Sequence, residues 1–128
     1  METIKSYTDI SQSKKLAEIL PLESADMEYL AIKETGKLIG DVPFVKDDSE
    51  VEDSAYSYIY DKIACWSLAA LISVLPEGTR LLKATNISSV CDTKYHCDCP
   101  KSNIDVWFDN PIDACVAMIE KLHELKML

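Results

Sequence analysis

Apolar residues change their spacing several times along this chain, and each change predicts a different element. Ile10, Leu16, Ala17 and Leu20 recur at helical spacing, and Asp9 with Gln12 ahead of them forms a capping-box signature. Pro21 closes that helix. Asp26 to Ile32 is apolar without helical periodicity, which predicts extended chain, and Gly36, Gly40 and Pro43 punctuate the next stretch into a strand or two. Tyr56, Tyr58 and Tyr60 alternate with Ala55, Ser57 and Ile59 as in a strand with an aromatic face, while Ala55, Ile59, Ile63 and Trp66 keep a helical alternative open. Ser67 then caps a helix with Leu68, Leu71, Ile72 and Leu75 on one stripe, ended by Pro76 and Gly78.

Thr79 to Thr85 and Ser88 to Cys99 are extended runs on either side of Asn86, which predicts a hairpin, and Asn103 precedes a further strand through Phe108. Asn110, Pro111 and Asp113 open the last helix: Asn110 accepts from free amide groups, Pro111 loses nothing at the first helical position, and Asp113 favours the positive end of the dipole. Ile112, Cys115, Val116, Ile119, Leu122 and Leu125 give that helix its apolar face. These elements amount to the α+β class: an antiparallel sheet with a central hairpin, packed against two or three helices in one domain spanning residues 1–128. Burial of Leu68, Leu71, Ile72, Val116, Ile119 and Leu122 contributes about 1.5 to 3 kcal/mol each before conformational entropy is subtracted.

Charge narrows the range of partners. The formal net charge of −9 sets a repelling field against phosphates and argues against nucleic acid. Between Asp41 and Asp61 seven acids face the single base Lys46, the pattern of a solvated acidic loop or insertion. Asp47, Asp48, Glu50, Glu52 and Asp53 are the candidates there for contact with a basic protein surface, and they lack the spacing and glycine of a calcium loop. The longest apolar stretch, Ile63 to Leu75, is interrupted by Ser67 and Ser73, and no charged start leads into an apolar secretion segment. A soluble cytoplasmic protein with no membrane association is therefore expected. Five cysteines form an odd set, which suits reduced thiols in a reducing compartment.

Cys91, His96, Cys97 and Cys99 invite comparison with a zinc site, yet their C-x4-H-C-x-C spacing is not that of paired knuckles. On a strand, Cys91, Thr93, Tyr95, Cys97 and Cys99 share one face and Asp92, Lys94, His96 and Asp98 the other. The first set is expected to face the core and the second to face water, with no metal bound and no disulfide formed. His96 and His123 are the only histidines, and no nucleophile elbow or phosphate-cradling glycine loop occurs. Neither catalytic residues nor a cofactor is expected.

Trp66-Ser67, the hairpin and Asn110-Pro111-Ile112-Asp113-Ala114 together resemble the small phage-encoded α/β proteins called the phage ABA sandwich family. The resemblance covers Trp66 to Leu125, and Cys65 stands where the family often has a different residue. It implies an accessory protein of a phage or mobile element without a transferable active site. The function expected is then non-enzymatic binding to a host protein, such as one used in defence. The alternative is a sponge for a small anionic, nucleotide-type signal, with Arg80, Lys83, Lys94 and His96 as donors and Tyr58 or Trp66 as a stacking surface. Alternation places Arg80 and Lys83 on opposite faces, so such a pocket would draw on several copies in a homo-oligomer.

Overall fold

The computed structural model describes residues 5–40, 42–46, 59–85, 93–100, 102 and 106–128. Helix α1 (Ile10–Ala17) begins at the anticipated capping box, in which Asp9 accepts from the Gln12 amide at 2.8 Å and Gln12 Oε1 accepts from the Asp9 amide at 3.1 Å. A 3-10 turn (Leu22–Ser24) leads into β1 (Met27–Ile32). The chain then reverses at Gly36, whose φ of 71° is open to glycine at no steric cost. Strand β1 is central in a three-stranded antiparallel sheet, flanked by β2 (Phe44–Val45) and β3 (Tyr60–Cys65).

Helix α2 (Leu68–Val74) follows β3 directly, with Ser67 Oγ accepting from the Ala70 amide as the sequence predicts. Strands β4 (Arg80–Thr85) and β5 (Thr93–Asp98) pair antiparallel with Leu81 opposite Cys97 and Lys83 opposite Tyr95. Phe108 adds a single bridge to the far side of β5, exchanging both main-chain bonds with Tyr95 at 2.7 and 2.8 Å. Helix α3 (Pro111–Glu124) ends the fold, its Asn110 cap accepting from the Asp113 amide.

The class is α+β, but the sheet is split into units of three and two strands instead of forming one layer around the hairpin. Main-chain bonding along β3 contributes to the split. Beyond Cys65 the outer side of that chain is occupied by residues 6–8, through Thr8 N to Trp66 O at 2.9 Å and Leu68 N to Ser6 O at 3.2 Å. Helix α2 then turns the chain away before β4 begins.

Helix α3 packs against both α2 and β5, and so is buried on more than the stripe expected for it, with Ala114 and Met118 enclosed beside Ile112, Cys115, Val116, Ile119 and Leu122. Leu125 departs from the expected face: it caps the helix and is 43% exposed. Ile72 departs likewise at 48% exposed, because α2 turns Ala70 and Leu71 inward. Trp66 sits with them in the core cluster, beside Leu16 and Leu20 of the first helical segment.

Polar groups tie these layers together. Thr8 and Ser13 are fully buried and share a hydroxyl contact of 2.7 Å, and Thr8 Oγ1 also accepts from the Trp66 amide at 3.1 Å. Tyr29 donates its phenol to the Thr8 carbonyl at 2.8 Å, so one short segment clamps α1 to both β1 and β3. At the surface, the Lys5 ammonium reaches Asp9 at 3.0 Å, Gln12 at 2.7 Å and Asp113 at 3.2 Å, linking the starts of α1 and α3.

Candidate functional site

Cross-strand partners in an antiparallel sheet project to the same side, so the β4–β5 register sorts this hairpin into two faces. Leu81, Cys97 and Tyr95 belong to the inner face, packed on or within the core. Arg80, Leu82, Ala84, Lys94, His96 and Asp98 belong to the outer face. The Tyr95–Phe108 bridge sets Trp107 beside His96 and Asp109 beside Lys94, which widens that outer face by one more chain segment.

Across its middle runs a row of Leu82, His96 and Trp107. The two rings stack with centroids 5.1 Å apart and planes inclined by 28°. His96 Nδ1 lies 3.1 Å from the Val106 carbonyl oxygen, which only accepts, so Nδ1 carries the proton and donates. His96 is thus held between a main-chain acceptor and an indole. Its position corrects the expectation of a row facing water: His96 is 9% exposed, covered by the 106–107 segment that pairs alongside β5. Trp107 and Leu82 remain open at 42% and 37%.

Ion pairs bound this row on both sides. Arg80 donates to Asp98 at 2.9 Å, directly across the strands, and Lys94 pairs with Asp109. Of the residues singled out for anion binding, Arg80, Lys94 and His96 therefore share one face, but each already has an internal partner. Lys83 lies on the other face, opposite Tyr95. Trp66 cannot serve as the expected stacking surface. Its ring is wholly enclosed in the core and its indole N–H donates to Ser24 Oγ at 2.9 Å. Tyr58, Asp47, Asp48, Glu50, Glu52 and Asp53 lie outside the described residues, as do Cys91 and the hairpin turn at Asn86.

Cys97 and Cys99 face inward and are buried, as strand alternation predicts. Cys65, Cys97, Cys99 and Cys115 are free thiols. Hydrogen bonding to Cys97, with burial added, pushes the Cys115 thiol far up, so it stays protonated as a donor inside the core. Burial likewise raises Cys65. Such thiols pack as small apolar groups. Among the described residues no group of three or more His, Cys, Asp and Glu side chains is placed to hold a metal ion. None of the described helices is long and apolar enough to cross a membrane.

Leu82 and Trp107 were not legible as site residues. Each belongs to an apolar run in which only strand parity decides exposure, and the parity of Trp107 depends on which residue bridges Tyr95. The chain matches no protein-family model, no curated protein and no solved structure.

Proposed function

We propose that this protein is a non-enzymatic binding protein that docks onto a partner protein through the outer face of the β4–β5 hairpin. The observation that carries this reading is the pair of exposed side chains Leu82 and Trp107 beside the buried His96, flanked by cations whose charge is already met by Asp98 and Asp109. A half-exposed indole braced from behind by a buried imidazole is a rigid, amphipathic anchor, and residues of this kind dominate protein interfaces energetically. Paired charges around it form a polar rim suited to register and specificity. A free anion, by contrast, would have to displace the aspartate from each cation. The likeness of Trp66 to Leu125 to phage sandwich proteins points to a host protein as the partner, one used in defence among them.

Affinity capture from host lysate, with Trp107→Ala and Leu82→Glu beside the unaltered protein, tests the proposal. The unaltered protein retains one partner saturably, and each variant loses at least about thirty-fold in affinity, as for removal of an interface anchor. Far-ultraviolet circular dichroism checks that the variants keep their fold. Equal retention of that partner by folded variants would overturn the proposal, and so would a change in self-association alone.

A further inference from the structure

We infer that the molecule carries a second binding site, a groove across the three-stranded sheet that takes a small monoanion with an apolar tail, of the medium-chain carboxylate type. The groove has a volume of about 420 Å³, within the range of about 300 to 1,000 Å³ typical of small-molecule sites. Ala17, Leu22, Met27, Ile63 and Ala64 give it an apolar lining. Lys14, Lys46 and Lys62 stand around that lining with Glu28 as the single acid among its wall residues. In a chain with 22 acidic and 13 basic residues this local excess of cations runs against the global charge.

The lysines of the groove, like Lys15, Lys37, Lys83 and Lys126, have no carboxylate partner among the described residues, in contrast to five other cations. Lys5, Lys33, Arg80, Lys94 and Lys121 each lie within ion-pair distance of an aspartate or glutamate. Lys14 and Lys62 meet no carboxylate among the described residues, and the Lys46 ammonium donates to the Leu22 carbonyl at 3.3 Å. A neutral main-chain acceptor leaves its charge uncompensated. Three lysines around a mostly apolar surface suit one negative headgroup, with the tail removed from water along Ala17, Leu22 and Ala64, the last on the same sheet face as Lys62. A compact dianion such as phosphate would leave that lining uncovered. The site shares no residue with the hairpin face, so either can fail without the other.

Titration of the isotope-labelled full chain by amide NMR, with decanoate, decan-1-ol and inorganic phosphate as separate probes, provides the test. Decanoate shifts the amides of Ala17, Met27, Ile63 and Ala64, and octanoate binds about ten-fold more weakly because two methylenes fewer are buried. The exposed substitutions Lys14→Gln and Lys62→Gln each weaken decanoate by about two- to five-fold, the range of a solvent-exposed ion pair, and leave decan-1-ol unaffected. The inference is overturned if decanoate shifts none of these amides, if decan-1-ol binds as tightly as decanoate, if the lysine variants bind decanoate unchanged, or if phosphate alone reproduces the shifts.

Discussion

Replacing Thr8 by Val keeps the shape of a fully buried side chain and deletes one oxygen from its centre. That oxygen accepts from the Trp66 amide at 3.1 Å and contacts the Ser13 hydroxyl at 2.7 Å. The two orphaned groups behave differently. Ser13 lies within helix α1, where its hydroxyl can turn to the carbonyl of Asp9 one turn back, so most of its loss is recoverable. The Trp66 amide is fixed in the main chain between β3 and α2 and has no such freedom. Leaving one buried amide without a partner costs about 1 to 3 kcal/mol, and strain at Ser13 adds a few tenths, so Thr8→Val is expected to lose about 1.5 to 3.5 kcal/mol. Thr8→Ser keeps the oxygen and removes only a methyl, for about 1 kcal/mol. Urea denaturation followed at 222 nm would show a lower midpoint with an unchanged slope for both variants. The double variant Thr8→Val with Ser13→Ala would cost less than the sum of its parts, because the two hydroxyls are partners. A Thr8→Val protein as stable as the unaltered one, or less perturbed than Thr8→Ser, would refute the reasoning.

Acid should weaken the clasp between α1 and α3. Burial pushes the Asp113 carboxyl up, but hydrogen bonds from Gln12 and Asn110 and the Lys5 ammonium outweigh it and hold the group below its ordinary 3.8. The folded state therefore favours the ionised form, so this stabilisation is complete above that value and disappears as pH falls through the lower folded one. Asp113→Asn is expected to cost about 1 kcal/mol at about pH 7 and much less near pH 2, and a gap independent of pH in paired denaturation curves would contradict the assignment. In α2, Leu71→Ala should lose about 2 to 5 kcal/mol while its neighbour Ile72→Ala stays within about 1 kcal/mol. Equal losses in thermal or chemical unfolding would mean that α2 is rotated about its axis from the orientation that buries Leu71.

Local chemistry made the element starts readable. The Asp9–Gln12 capping box, the Ser67 cap and the Asn110-Pro111 entry each satisfy amide groups that any helix leaves open, and they do so within four residues of sequence. Strand alternation likewise foretold that Cys97 and Cys99 face inward. The candidate site was far less legible. Arg80, Lys94 and His96 do share a face, but their acids, Asp98 and Asp109, and the covering Trp107 arrive from other segments.

By itself, then, the order of residues determined the caps, the periods and the α+β class, because those depend on interactions between near neighbours. Only the tertiary structure decided that β1 pairs with β3 and leaves the hairpin as a separate sheet, that Thr8 and Ser13 are interior, and that Lys14, Lys46 and Lys62 surround one groove. Each of those outcomes depends on which distant segments meet. An isolated side chain bears the same charge and surface wherever it lies, and packing alone determines whether water, an opposite charge or a partner meets it.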